Sequence, residues 1–126
     1  MRVDYKEAVG ALEDGEYVLA EQKLTYIIES IDRQLTSPSQ LAVVYNDRGQ
    51  ARYRQVRFQE AVEDYEVALR LSPDEAVVHY NRSTILYRMG DYLGALPGFY
   101  RALQLDKDNT EFEQGYKACK QRVDGE

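Results

Sequence analysis

Residues recur along this chain at a fixed spacing of 34. Ala61 and Ala95 stand 34 apart, as do Ala68 and Ala102, Tyr65 and Phe99, and Tyr53 and Tyr87. Leu69 with Leu103, Leu71 with Leu105, and Arg48-Gly49 with Arg82-Ser83 keep the same offset. A weaker copy lies upstream, where Gly15-Glu16-Tyr17 and Ala20 precede Val56-Arg57-Phe58 and Ala61 by 41 residues. The difference from 34 reads as an insertion of about seven residues. A period of this length means stacked supersecondary units, each too small to cover its own apolar face.

Within each unit the periodicity is helical. Ala61, Tyr65 and Ala68 fall at i, i+4 and i+7, and Ala95, Phe99 and Ala102 repeat the pattern, so each triplet lies on one helix face. Small residues at these places allow close helix approach, and bulky ones fill the gaps beside them. Ser37-Pro38-Ser39-Gln40 and Ser72-Pro73-Asp74-Glu75 both read as capping boxes with proline at the first helical position. The first of these predicts that the insertion lengthens the following helix by a turn. Asp91 and Asp106 read as N-caps. Beyond Asn109, Phe112, Tyr116, Cys119 and Val123 make one apolar stripe, which predicts a closing helix with a polar outer face.

The spacing resembles the tetratricopeptide repeat. That pattern places small residues eighth, twentieth and twenty-seventh, bulky ones fourth, eleventh, seventeenth and twenty-fourth, and often a proline thirty-second. Tyr45, Gly49, Phe58, Ala61, Tyr65, Ala68 and Pro73 occupy such places in the second unit. Ser83, Leu86, Tyr92, Ala95, Phe99 and Ala102 do so in the third, and Ala8, Tyr17, Ala20 and Leu24 in the first. The departures are Ile27 for a small residue, Arg52 for an aromatic, and Lys107 for a proline. The resemblance implies an all-α fold of seven helices in a right-handed α-solenoid, forming a single domain over 1–126. Repeat one would span 1–34, the insertion 35–41, repeat two 42–75, repeat three 76–109 and the capping helix 110–123.

The net charge of −6 argues against nucleic acid, which demands a basic surface to displace counterions, and against an anionic membrane. No stretch is apolar for long enough to cross a bilayer, and the first residues lack a signal-peptide core. The one cysteine, Cys119, leaves no internal disulfide. A reducing compartment is expected, the cytoplasm first, with the nucleus and cilium open.

Little in the chain points to chemistry. His79, the one histidine, takes the fourth place of its unit, a packing position, and has no second ligand at a metal-binding spacing. Cys119 lies on the apolar stripe of the closing helix and reads as an inert thiol. Glu60, Glu63, Asp64 and Glu66 read as a solvated helix face. No glycine loop suited to phosphate is present. The expectation is a non-catalytic protein without cofactor or metal.

The resemblance implies a binding groove lined by the first helix of each unit, for a protein or peptide partner. One known use is the clamp of chaperone adaptors for acidic Hsp70 or Hsp90 tails. Of its five places only one is matched, by Asn81, and Glu111 stands where the clamp requires lysine. Two like charges ~4 Å apart at an effective dielectric near 20 cost on the order of 4 kcal/mol, so this use is disfavoured. A different ladder is present. Arg54, Arg88 and Arg122 share the thirteenth place, and Tyr53 and Tyr87 precede the first two. With Asn46, Gln50, Tyr80, Asn81 and Thr84 they form the candidate groove residues. Arginine beside tyrosine suits an acidic or phosphorylated segment. The competing reading pairs these arginines with the chain's own carboxylates, and surface pairs are common enough to put it first.

Gly94, Pro97 and Gly98 interrupt the third unit's second helix, which predicts a kink or a late start near 93–97. The expected function is an adaptor that binds a partner segment, as a monomer or with weak self-association. The alternative is a structural subunit of a self-associated or permanent complex.

Overall fold

The structure, a computed structural model, describes residues 3–31 and 36–125. Among them are seven helices and no strand: α1 (Val3–Glu13), α2 (Tyr17–Ser30), α3 (Pro38–Arg54), α4 (Phe58–Leu71), α5 (Ala76–Arg88), α6 (Tyr92–Leu105) and α7 (Thr110–Asp124). The all-α class with seven helices is the one expected. Part of the insertion, residues 32–35, lies outside the described residues. The chain forms two compact units, Met1–Ser72 and Pro73–Glu126.

In the first unit α1 packs on α2, α2 on α3, and α3 on α4. Small residues set the spacing, with Ala11, Ala20 and Ala51 meeting in one buried cluster. Gly49 serves the same purpose between α3 and α4: a Cβ there would lie 2.6 Å from the Tyr65 ring. The ring fills the space that glycine leaves, so this close approach requires glycine. In the second unit Ala95, Phe99 and Cys119 form the core, with Tyr80, Leu86, Tyr87, Tyr92, Leu96 and Tyr116 packed around them.

The first helices end alike. After α1, Gly15 (φ 78°) precedes a bond from the Glu16 N–H to the Ala11 carbonyl at 2.8 Å. After α5, Gly90 (φ 85°) precedes a bond from Asp91 to Leu86 at 2.9 Å. After α3 the bond from Arg57 to Arg52 is 3.0 Å, but the left-handed residue is Val56 (φ 64°). This is the left-handed C-terminal cap that glycine normally supplies.

At α3 the capping box forms as read. The Gln40 N–H donates to Ser37 Oγ at 3.2 Å, and the Ser37 N–H donates to Gln40 Oε1. With 17 residues α3 is one turn longer than α5, which has 13. Asp91 also caps as expected, accepting from the Gly94 N–H at 2.9 Å.

Two other caps differ. Ser72 closes α4, its N–H bonded to the Ala68 carbonyl, and α5 starts at Ala76 behind Glu75 with no side-chain cap. The residues read as a box are spent on the connection: Pro73 O meets His79 Nε2 at 2.7 Å, and Asp74 pairs with Arg101 at 2.8 Å. Asp106 likewise closes α6, and the α7 cap is Asn109, which accepts from the Phe112 N–H at 3.0 Å.

The interrupted helix starts on time. α6 runs from Tyr92 with Pro97 inside it. Pro97 is exposed, so the Leu93 carbonyl it leaves without a donor lies on the solvent side. Gly98 is the point of closest approach to α5, because a Cβ there would collide with Ser83 Oγ and come within 3.2 Å of the His79 carbonyl.

Candidate functional site

Two clusters of side chains stand out, one in each unit. In the first, an ionic network joins α2, α3 and α4. Asp64, 2% exposed, accepts from Arg48 Nε at 2.9 Å and Nη2 at 2.8 Å, a bidentate pair. Arg52 Nη1 reaches the same carboxylate at 3.1 Å, while Arg52 Nε donates to Glu21 at 2.9 Å. Arg57 bridges Glu21 at 2.6 Å and Glu60 at 2.7 Å. Burial alone would raise the Glu21 carboxyl, but hydrogen bonds from Arg57, Arg52 and Gln55 outweigh it and hold the group down at about 2. Three guanidiniums and three carboxylates leave the network neutral.

This network corrects the reading of the α4 carboxylates as a solvated face. Glu63 is exposed, but Asp64 is buried and Glu60 is tied to Arg57. It also accounts for Arg52 in an aromatic's place. With Asp64 pointing inward, an aromatic there would leave a buried carboxylate short of donors.

Tyr5 on α1 donates to Asp47 on α3 at 2.5 Å. Burial raises the Asp47 carboxyl, and the Tyr5 bond only partly opposes this. The same burial, with the nearby Asp47 charge, pushes the Tyr5 hydroxyl far above its usual range.

The second unit holds a cleft between α5 and α7, about 490 Å³ in volume. Tyr80, Thr84, Tyr87 and Arg88 come from α5, at i, i+4, i+7 and i+8 on one face. Tyr92 and Phe99 reach in from α6, and α7 contributes Gly115 and Ala118. The two small α7 residues keep the cleft open; a Cβ on Gly115 would sit 3.0 Å from both Phe99 and Tyr80. The aromatic rings brace one another. Tyr80 packs on Phe99 at 5.6 Å and on Phe112 at 5.0 Å, and Tyr87 packs edge-on to Tyr92 at 5.0 Å. Thr84 donates to the Tyr80 carbonyl at 2.8 Å.

Arg122, one turn beyond Ala118 on α7, lies over the Tyr92 ring at 4.5 Å and donates to its hydroxyl at 2.5 Å. Tyr92 lines the cleft, so Arg122 stands at its edge. The cleft thus has aromatic walls, a small-residue side and two arginines near one end. Cys119, directly behind it, is buried and donates from Sγ to the Tyr92 carbonyl at 3.3 Å. Burial raises its thiol, which suits packing rather than reactivity.

Of the ten groove residues read from the sequence, Tyr80, Thr84, Tyr87 and Arg88 line this cleft, with Arg122 at its edge. Asn81, half-buried, lies on the same helix but does not line it. Asn46, Gln50, Tyr53 and Arg54 belong to α3 in the first unit. Gln50 accepts from the Tyr65 hydroxyl at 3.3 Å, and Tyr53 stacks on Phe58 at 5.7 Å. Arg54 is exposed, with its guanidinium carbon 6.0 Å from the Tyr17 ring centre. The arginines that pair with the chain's own carboxylates are mainly Arg48, Arg52, Arg57 and Arg101. Arg54 and Arg122 rest on tyrosine rings instead. The sequence reading missed Tyr92, Phe99, Gly115 and Ala118 as cleft residues; the face formed by Gly115, Ala118 and Arg122 at i, i+3 and i+7 was the available signal.

Among the described residues no group of His, Cys, Asp and Glu could hold a metal ion, and no helix is long and apolar enough to cross a membrane.

Residues 49–90 match the family model for the TPR repeat. Many solved structures resemble the chain. The Sgt2 TPR domain from Aspergillus fumigatus is 17% identical, with a TM-score of 0.80, over 96% of this chain and 77% of that one. The first TPR of Spaghetti (RPAP3), bound to the HSP90 peptide SRMEEVD, is 18% identical, with a TM-score of 0.85, over 96% and 90%. The type III secretion chaperone SycD of Yersinia enterocolitica, in complex with a peptide of the translocator YopD, is 15% identical, with a TM-score of 0.76, over 97% and 88%. The chain therefore carries a tetratricopeptide repeat, and its fold is that of tetratricopeptide-repeat domains.

Proposed function

We propose that this chain is a non-catalytic protein-interaction module that takes a partner segment in the α5–α7 cleft. The cleft's composition carries the reading. Braced aromatic rings offer apolar area at low entropic cost, and Arg88 and Arg122 favour a carboxylate or phosphate beside the inserted side chain. Its volume lies in the range of roughly 300–1,000 Å³ typical of built sites. The Spaghetti and SycD domains, similar in fold, were solved with peptides bound, which supports the same use here.

The ligand proposed is an acidic segment with a bulky apolar residue. It is not the chaperone tail held by a lysine clamp, because Glu111 occupies a place where that clamp needs a cation. Glu111 instead sits in the first turn of α7, where a carboxylate complements the helix dipole. Within the repeat class, 45–50, 58–65 and 80–88 resemble tetratricopeptide repeat protein 32, and we include that kinship in the proposal. A single buried cysteine suits a reducing, cytoplasmic setting.

A second reading, a structural subunit, draws on the outer face of α6, where Leu93 and Tyr100 are exposed and flank Pro97.

Selection from a random peptide library tests the main reading. Wild type should enrich sequences that set Asp or Glu beside a bulky apolar residue, and Arg88→Glu should lose them. If the variant enriches the same sequences, the cleft is not the site.

A further inference from the structure

The helical hairpin α1–α2 has a surface that the cleft does not explain. On α2, Val18 is 59% exposed, Leu19 39% and Tyr26 63%. These are not scattered apolar residues. Val18 and Tyr26 share a hollow of about 440 Å³, with Gln22, Thr25 and Glu29 beside them and the Glu21–Arg57 pair and Gln55 also lining it. Leu19 and Tyr26 share another of about 400 Å³ on the α1 side, with Asp4 and the Glu7–Lys23 pair. Tyr26 and Gln22 line both, so Tyr26 is a ridge standing between two hollows. Contiguous exposed apolar surface of this kind marks a contact site more often than chance does.

The hairpin that carries the ridge is acidic as a whole. Between residues 3 and 31 there are seven carboxylates against two lysines, a balance of −5 in a chain of −6. Glu7 is matched by Lys23 at 3.1 Å, and Glu21 by Arg52 and Arg57. Five carboxylates remain exposed: Asp4, Glu13, Asp14, Glu16 and Glu29. Lys6 is the exposed cation against them. Of the arginines that reach this side, Arg52 and Arg57 are paired with Glu21, and Arg54 lies 6.0 Å from the Tyr17 ring centre. Nearly all the net charge of the protein is thus carried by the hairpin that bears the apolar ridge.

We infer that the α2 ridge is a second interaction surface, fitted to a basic protein segment with an apolar face. Apolar side chains of that segment would sit in the hollows on either side of Tyr26, and its lysines or arginines would meet the surrounding carboxylates. From Val18 to Tyr26 the ridge covers about two helical turns, roughly 12 Å, which matches a short amphipathic helix. The interaction weakens with salt, because its charges are exposed. This surface is independent of the cleft, whose arginines favour the opposite charge.

The probe is a synthetic amphipathic helical peptide of leucine and lysine, compared with its leucine–glutamate counterpart, by fluorescence anisotropy. Wild type should bind the lysine peptide saturably and the glutamate peptide at least about tenfold more weakly. The double variant Val18→Lys, Tyr26→Lys changes only exposed side chains, and circular dichroism checks its fold. It should lose about tenfold or more for the lysine peptide, while Arg88→Glu, which disables the cleft, leaves that affinity unchanged. No saturable binding of the lysine peptide, equal binding of both peptides, or an unaffected double variant would overturn the inference. So would sedimentation showing a wild-type dimer that the double variant abolishes, since the occupant would then be a second copy.

Discussion

Arg52 and Asp64 are bonded across the α3–α4 pair, with Nη1 3.1 Å from Oδ2, and Asp64 is buried. The place of Arg52 usually holds an aromatic, so the pair replaces apolar packing by a charge shared with Arg48 and Glu21. Its stability depends on completeness: an intact buried network is near neutral against an apolar core, whereas a broken one is costly.

Asp64→Ala should therefore destabilise the protein by about 3–5 kcal/mol, since it leaves the largely buried Arg48 guanidinium without a carboxylate and takes one of two from Arg52. Urea unfolding measures this. Replacing Arg48, Arg52 and Asp64 together by apolar residues should cost much less than Asp64→Ala alone. Equal costs would show that the charges act independently.

Glu21 provides a pH signature. Its folded carboxyl is held at about 2, below the unfolded value of about 4.3. A depressed carboxyl contributes stability that is fully present above the unfolded value and is lost as pH falls through the folded one. Glu21→Gln should cost on the order of 2 kcal/mol at pH 7, and that difference should shrink between about pH 4 and pH 2. A constant difference across that window would contradict the assignment.

Val56 sits at φ 64° with its side chain exposed. A β-branched residue in the left-handed region is strained, and the two equivalent positions carry glycine. Val56→Gly should raise stability by roughly 1 kcal/mol, read as a higher thermal midpoint. No gain would mean that the unfolded-state entropy of glycine cancels the relief.

Among the described residues Ser83 Oγ is buried without a hydrogen-bond partner, against Gly98. Ser83→Ala should stabilise by about 1 kcal/mol by removing an unsatisfied hydroxyl. Gly98→Ala should destabilise by about 1–3 kcal/mol through overpacking, and less in the Ser83→Ala background. Additive effects would place the clash on the His79 carbonyl instead.

The features legible in the sequence are those that depend on local spacing. The alanines at i and i+7 with an aromatic at i+4 marked α4 and α6, and Ser37 with Gln40 marked the start of α3. The burial of Cys119 followed from its stripe on α7. What escaped depends on partners distant in the chain. Glu63 and Asp64 are neighbours with the same chemistry, and only the arginines of α3 decide that one is buried. Ser72-Pro73-Asp74-Glu75 carries the letters of a capping box, but Ser72 is already committed to the end of α4. For the cleft, the α5 side was readable from the period. The α6 rings and the small α7 face were not, because helical spacing tells which residues share a face and not which faces oppose.

The proposed function requires the α5–α7 cleft to receive a partner segment. The most direct test is a solution NMR titration of isotope-labelled protein with a peptide selected by the wild type. Saturable shifts are expected at Tyr80, Thr84, Tyr87, Arg88, Gly115 and Ala118, abolished when Gly115→Leu fills the cleft. Saturable shifts confined to other residues, or binding that survives Gly115→Leu unchanged, would contradict it.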